Sequence, residues 1–291
     1  MPAPAGDSHR SFRRVFRDFF RKGYKDNLTG LSGMVAYNLL LSVFPFALLA
    51  LFIAGRILQS SELEQSILED LRGLFPNITD GTLTRALDRV RDSSTGVGVV
   101  ALVSSIYIGS SFWGALDTAF CRIYHVRCRS WVEQKRFSLA MLVVVLLFMA
   151  ATVAVPAIQS VLVRGAGDLP FGLSEVDGLL FAVSLFVGLL LVFGVLCVIY
   201  WAVPNRRMPW RAIWPGALAA TLAIGIVDYG FPLYLSTIST IAAFTTIFVF
   251  VLIVLIWFYL LAIIILGGGV LNAIRFEIHE TGELALPEGA N

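Results

Sequence analysis

Residues 242–273 have the sequence AAFTTIFVFVLIVLIWFYLLAIIILGGGVLNA, which contains no Asp, Glu, Lys or Arg. About 20 apolar residues in a helix are enough to cross the roughly 30 Å hydrocarbon core of a bilayer. This run therefore predicts a membrane-spanning helix. The composition agrees, because 57% of all residues are apolar and 14% are charged, whereas a soluble domain usually has about 25% charged residues.

Five further apolar runs precede this one. Together they predict six membrane-spanning helices, called spans 1 to 6 here: 30–57, 95–119, 137–163, 179–203, 213–236 and 242–273. The predicted fold is all-α, a polytopic bundle of six transmembrane helices within residues 30–275.

The distribution of positive charge predicts the orientation of the spans. Segments rich in Lys and Arg resist translocation across the membrane. Sixteen of the 22 Lys and Arg residues lie before span 1, between spans 2 and 3, between spans 4 and 5, or after span 6. We therefore expect both chain termini to be cytoplasmic.

Residues 1–29 form a basic amino-terminal segment with helical periodicity. Its apolar residues recur three or four positions apart, as on one face of a helix: Phe12, Val15, Phe16, Phe19 and Phe20. This pattern predicts an amphipathic helix on the membrane surface. We expect anionic lipid headgroups to contact its arginines, namely Arg13, Arg14, Arg17 and Arg21. The alternative is a topological anchor with no further role.

Two other segments lie outside the spans. The loop 58–94 between spans 1 and 2 has two short stretches of apolar periodicity, which predict a small helical cap on the outer face. Residues 276–291 carry four glutamates and end in small residues, which favours an acidic flexible tail.

A carboxylate in span 5 is the clearest candidate for function. An ionised side chain at the centre of a bilayer costs roughly 2.5 to 3.5 kcal/mol on insertion scales, so Asp228 needs compensation. Arg56 or Arg164 could pair with it. Asp228 is either a polar point in a cavity or part of a structural ion pair, and the sequence leaves both open.

Polar residues and helix breakers mark spans 1 and 6. Tyr37 and Asn38 precede Pro45, which predicts a bend in span 1. With Asn272 in span 6 they are candidates for a substrate pathway, although Asn38 could equally form a hydrogen bond between helices. The glycines 267–269 predict either a break in span 6 or a very close helix contact.

The chain shows no pattern typical of an enzyme. Cys121, His125 and Cys128 share helical spacing, but zinc usually takes four ligands, so no metal site, cofactor or catalytic residue is expected. The predicted topology places Cys121 and Cys128 in the cytoplasm and Cys197 inside a span. We therefore expect no structural disulfide.

Four motifs carry a family resemblance. They resemble sequences of the YihY/BrkB membrane proteins, long labelled ribonuclease BN-like: DNLTGLSGMVAYNLLLSVFPF at 26–46, WGALDTAFCRIYHV at 113–126, WRAIWPGALAA at 210–220 and IWFYLLAIIILGGGVLNA at 256–273. The resemblance covers nearly the whole chain. It implies a six-helix bundle in the bacterial inner membrane, with links to virulence, serum resistance or envelope lipid transport for some members. Where the family usually has Gly-Ala-Glu, this chain has Gly268, Gly269 and Val270.

These features favour one function and leave an alternative. The first is a transporter or flippase-like protein for an amphiphilic or anionic envelope component, with a cavity lined by spans 1, 5 and 6. The alternative is a non-transporting membrane scaffold that organises lipids or partners, including further copies of this chain. Nuclease activity and specific nucleic-acid binding are not expected, because no metal or acid/base cluster accompanies the basic loops.

Overall fold

The structure is a computed structural model that describes residues 12–52, 103, 106–145, 147, 177–206, 208–237 and 247–281. Within these ranges all of the regular structure is helical, which confirms the all-α prediction for them. Seven helices have more than ten described residues: α1 (Phe12–Lys25), α2 (Leu28–Phe52), α3 (Ser111–Ile123), α4 (131–145), α5 (Asp177–Ala202), α6 (Trp210–Thr237) and α7 (Ile247–Thr281).

In the part of the chain that the structure describes, three helices contain segments long and apolar enough to cross a membrane, namely Leu185–Ala202 in α5, Trp210–Asp228 in α6 and Val251–Ile278 in α7. Helix α2 has a shorter apolar stretch, Leu28–Val43. The predicted outer cap, 58–94, lies outside the described residues. The count of six spans stays a prediction.

Helix α7 is the central element of the described part. It packs against α1, α2, α3 and α6, while α5 packs against α6. Ala262, Leu266, Val270 and Ala273 are fully buried and lie three or four positions apart, so they form one stripe of the helix. This stripe makes α7 the common surface on which α1, α2, α3 and α6 assemble.

The glycines of α7 produce close contacts, not a break. The helix is continuous through residues 267–269. A methyl group at Gly268 would meet the Tyr200 hydroxyl and the Gly216 carbonyl oxygen, and one at Gly269 would meet the Phe120 ring. Of the two alternatives that the sequence left open, the close contact is the one found.

The contact between α6 and α7 depends equally on Gly216. A Cβ atom there would overlap both the Asn272 side chain and the Gly268 carbonyl oxygen. The Gly216 N–H donates a hydrogen bond of 2.9 Å to Asn272 Oδ1. The two backbones approach closely because neither position carries a side chain, as is common between membrane helices.

Two expectations need correction. Helix α7 continues to Thr281 and buries Phe276 and Glu277, so the predicted flexible tail does not begin at 276. Cys121 and Cys128 form a disulfide, with Cα atoms 5.2 Å apart. The chain turns back after α3, where the Val126 N–H bonds to the Cys121 carbonyl oxygen at 3.0 Å, and the prediction of no disulfide missed this turn.

The close contact predicts a large effect of one added methyl group. Gly216→Ala should lower the free energy of unfolding by about 1–3 kcal/mol, the usual cost of overpacking. Thermal unfolding of the purified protein in detergent measures this loss. Gly188→Ala is the matched control, since a Cβ at Gly188 in α5 meets no atom within 4 Å and alanine favours the helix. Equal melting temperatures for Gly216→Ala and the unmodified protein would contradict the contact.

Candidate functional site

The carboxyl ends of α1, α3 and α7 meet at one end of the bundle, called the basal end here. Four charged or titratable side chains join there in a group that we call the ion cluster: Lys22, Asp26, His125 and Glu277. Lys22 Nζ donates to Glu277 Oε1 at 2.8 Å and lies 3.5 Å from Asp26 Oδ2. His125 Nε2 lies 3.1 Å from Asp26 Oδ1, and His125 Nδ1 lies 3.7 Å from Glu277 Oε1.

Local structure positions each member of the ion cluster. Lys22 and Asp26 are one helical turn apart, and the Asp26 N–H bonds to the Lys22 carbonyl oxygen at 2.8 Å. Glu277 continues the buried stripe of α7 by one further turn. His125 has a positive φ of 50°, which is uncommon for a residue other than glycine. His125 lies within the loop that the Cys121–Cys128 disulfide closes.

The ion cluster is buried except at one point. The Lys22 side chain is 0% exposed and that of Asp26 is 1% exposed, whereas that of His125 is 29% exposed. With His125 neutral, two carboxylates face one ammonium group, and burying an unbalanced charge is costly. Protonation of His125 would balance the charges.

The partners of His125 favour its protonated form. Its hydrogen bonds to Asp26 and Glu277 raise the pKa of His125 from 6.5 to about 9, against the opposing effects of burial and of the nearby Lys22 ammonium. The imidazolium is therefore the dominant form at neutral pH, and two cations then face two anions.

The raised pKa of His125 predicts a pH-dependent stability. A group whose pKa rises on folding stabilises the fold fully below its unfolded pKa, here about 6.5, and loses this contribution as pH approaches 9. Melting temperatures from pH 6 to 10 should fall more steeply for the unmodified protein than for His125→Gln, whose amide can still form hydrogen bonds but cannot gain a proton. Parallel pH profiles of the two proteins would contradict a role for His125 charge.

A second buried polar network lies beside the ion cluster. Asp117, on α3, forms an ion pair with Arg129. Arg129 also donates to the carbonyl oxygens of Val203 and Ala202 at 2.5 and 3.1 Å, and its guanidinium lies 4.1 Å from the centre of the Phe137 ring. Cations commonly satisfy the last carbonyls of a helix in this way. Arg129 therefore connects the end of α5 to Asp117 in the middle of α3 and to Phe137 in α4.

The ion cluster adjoins the contact between α6 and α7. Tyr124 and Asn272 are buried next to it, and burial raises the pKa of the Tyr124 hydroxyl well above 10. Glu277 adds to this shift. Of the residues predicted for a substrate pathway, Asn272 is therefore the one at the basal site, where its side chain binds the Gly216 backbone.

The other pathway candidates lie elsewhere. Tyr37 is 57% exposed on α2, and Asn38 Nδ2 bonds to the Met34 carbonyl oxygen of the same helix at 2.9 Å. Pro45 is buried within α2. Asp228 is exposed on α6, about 18 Å along the helix axis from Gly216 at about 1.5 Å per residue.

The structure thus does not bring Asp228 to Asn272. Its proposed partners Arg56 and Arg164 lie outside the described residues, so their pairing stays a prediction. Of the four arginines predicted to contact lipid, Arg17 and Arg21 are exposed on α1. Arg13 and Arg14 belong to the same helix, but their side chains are not among those that the structure describes.

Sequence reasoning missed the ion cluster, although two signals pointed to it. Phe19, Lys22 and Asp26 are three or four positions apart and share one face of α1. Glu277 follows Ala273 by one turn on the buried stripe of α7. Charged residues near the ends of membrane helices usually face water. The sequence does not show that two of them, 255 positions apart, form a pair.

Comparison with known proteins places the chain in a family. The family model described as virulence factor BrkB matches residues 19–288. The chain belongs to this family. No solved structure matches it.

Relatives of the chain have names of two kinds. The putative ribonuclease-like protein YfkH of Bacillus subtilis (strain 168) is 28% identical over 255 residues, 84% of this chain and 88% of that protein. The membrane protein RSc1559 of Ralstonia nicotianae is 25% identical over 268 residues, 90% of this chain and 58% of that protein. The membrane protein MS0032 of Mannheimia succiniciproducens is 21% identical over 276 residues, 94% of this chain and 93% of that protein. This chain is a membrane protein of the BrkB family, and the ribonuclease-like wording belongs to the Bacillus relative.

Proposed function

We propose that this protein is a transporter or flippase-like protein that handles an amphiphilic or anionic envelope component in the bacterial inner membrane, with both termini cytoplasmic. The observation that carries the proposal is the outward surface of α1. This surface combines exposed aromatic rings with exposed arginines, the chemistry that suits an anionic lipid.

The outward surface of α1 consists of two adjacent stripes. Phe16 and Phe20 are each 56% exposed and Tyr24 is 89% exposed; they lie four positions apart, so they follow one line along the helix. Arg17 and Arg21 follow the neighbouring line and are also exposed. Aromatic rings in the acyl boundary and guanidinium groups at the headgroups would hold this helix in the interface of a membrane.

The opposite face of α1 is bound to the bundle. Phe19 packs near Gly267 of α7, since a Cβ at Gly267 would lie 3.5 Å from the Phe19 ring. Lys22 and Asp26 enter the ion cluster with Glu277. Headgroups collected by Arg17 and Arg21 would therefore lie beside the basal ends of the membrane helices, where a transported lipid enters or leaves.

A second candidate function is a non-transporting membrane scaffold. It is favoured by the structural use of polar groups in the described part: Asn38 bonds within α2, Asn272 binds Gly216, and Asp117 pairs with Arg129. In this case α1 holds anionic lipids or partner copies at the membrane, and no cargo crosses the bundle.

We do not propose an enzymatic activity or specific recognition of nucleic acid. Within the described ranges no three His, Cys, Asp or Glu side chains are grouped so that they could hold a metal ion. The carboxylates of the ion cluster face Lys22, which leaves them as partners of an ammonium group.

Reconstitution tests the proposal directly. Proteoliposomes of equal parts phosphatidylcholine and phosphatidylglycerol, carrying a fluorescent phosphatidylglycerol, report its movement between leaflets. We expect the unmodified protein to accelerate this movement. Arg17→Gln with Arg21→Gln should slow it, because each arginine near an anionic surface contributes about 1 kcal/mol of attraction. The control, Arg136→Gln with Arg211→Gln, removes the same charge from exposed positions outside α1.

Asp228→Asn distinguishes a transport role from a structural one in the same assay. Normal abundance with lost movement favours transport through a polar pathway, whereas loss of folded protein favours a structural carboxylate. If neither the labelled lipid nor an encapsulated anion moves faster with the unmodified protein than in protein-free vesicles, the transporter proposal fails and the scaffold is favoured.

A further inference from the structure

Lys135, one turn after the start of α4, has a partly buried ammonium group in a fixed position. Its Nζ donates a hydrogen bond of 2.9 Å to Ser110 Oγ and lies 4.0 Å from the centre of the Tyr107 ring. A lysine ammonium has three N–H donors, and no carboxylate among the described residues lies within ion-pair distance of this one. Its position is therefore fixed while its charge is not balanced.

Two other cations with little exposure show what Lys135 lacks. Lys22 lies against two carboxylates of the ion cluster, and Arg129 pairs with Asp117. Removing a cation from water is costly unless an anion lies beside it. Of these three cations, Lys135 is the one whose counter-charge the described residues do not supply, so an anion from outside them would complete its environment.

Exposed apolar side chains extend from Lys135 along two helical segments. On α4, Leu139 and Val143 follow it at intervals of four residues and are 49% and 56% exposed. Before α3, the helical residues Tyr107 and Val103 are 58% and 59% exposed. Residues four positions apart lie on the same side of a helix. In the predicted topology both lines run from the ammonium toward the outer side of the membrane.

The residue one turn before Lys135 on α4 marks the level of the ammonium in the membrane. Trp131 is 66% exposed, and tryptophan is enriched where membrane helices meet the headgroups. A small soluble anion would pair with the ammonium and leave the apolar lines uncovered. A neutral apolar partner would cover the lines and leave the ammonium unpaired. A molecule with an anionic head and apolar chains satisfies both.

We propose that Lys135 and Tyr107 bind the headgroup of an anionic phospholipid in the cytoplasmic leaflet, with its acyl chains along Leu139, Val143 and Val103. The Lys135 ammonium donates to a phosphate oxygen while Ser110 holds it in place. This site belongs to other helices than the outward surface of α1. It serves a transporter and a scaffold equally, so the proposal does not depend on the transport proposal.

Photocrosslinking of the full-length protein in phosphatidylcholine vesicles tests the site. The vesicles contain a trace of phosphatidylglycerol or of phosphatidylcholine with a diazirine in one acyl chain, and mass spectrometry locates the label. We expect residues 103–110 and 137–145 to be labelled about five-fold more by the phosphatidylglycerol probe. This ratio corresponds to about 1 kcal/mol, the attraction of one basic side chain to an anionic surface.

One variant and one control assign this preference to Lys135. Lys135→Gln, whose amide can still bond to Ser110, should bring the ratio of the two probes close to one. Arg211→Gln removes an exposed positive charge of α6 on the same predicted side of the membrane and should leave the ratio unchanged. A ratio that falls equally in both variants would contradict a site at Lys135.

Three further results would overturn the proposal. The first is equal labelling by the two probes in the unmodified protein, a measurement that needs no variant. The second is displacement of the label by glycerol 3-phosphate as readily as by unlabelled phosphatidylglycerol, which would indicate a soluble anion. The third is crosslinking of these residues to a second copy of the chain and to neither lipid. Because the label is located on α4 and not measured as lipid movement, each result is independent of transport.

Discussion

The ion pair between Lys22 and Glu277 joins the first described helix to the last and determines the arrangement of the basal end. Its two groups are 255 positions apart in sequence and 2.8 Å apart in space. Removing an ammonium group from water is costly, and the cost is recovered only when a buried cation has close, well-oriented acceptors. Glu277 and Asp26 supply them, which explains how a lysine can be fully buried. The same ion pair holds α1 beside α7, and the aromatic and arginine stripes of α1 then face outward.

The proposed function depends on that attachment. A free amphipathic helix would bind any anionic membrane, but a helix fixed to the bundle would place the proposed lipid-binding surface at one position relative to the membrane helices. The turn after α3 contributes His125 to the same ion cluster, and Arg129 connects that turn to Asp117 in the middle of α3 and to the end of α5. Tyr124 and Asn272 extend the polar groups inward to the close contact at Gly216. The apolar helices α5, α6 and α7 are thus joined at one end by charged and polar groups.

Much of this architecture could be predicted from the sequence, because it depends on local properties. Apolar runs indicated the positions of α2, α5, α6 and α7, since a helix in lipid must be apolar over its length. Periodicity indicated α1, and three successive glycines indicated an unusual place in α7. Three of the four motifs that carried the family resemblance, at 26–46, 113–126 and 256–273, contain Asp26, His125 and Asn272 of the basal site.

The remaining features depend on which residues meet across the chain, and periodicity does not contain that information. Lys22 was counted with the surface charges that orient the membrane helices, although it is buried. Glu277 was assigned to a flexible tail because glutamates near a terminus are usually solvated. The disulfide depends on a turn made by a positive φ at His125, and spacing alone does not indicate such a turn. Asp228 shows the opposite case, since its position in an apolar run was clear but its partner was not.

A double-mutant cycle tests the central ion pair most directly. Lys22→Met, Glu277→Gln and the double variant are compared by thermal unfolding in detergent, with Lys25→Met as a control outside the ion cluster. Removing one partner of a buried pair should cost about 3–5 kcal/mol, and the second substitution should then add little, giving a coupling energy of at least 1 kcal/mol. If the two losses add within about 0.5 kcal/mol, as for independent sites, Lys22 and Glu277 do not hold α1 against α7.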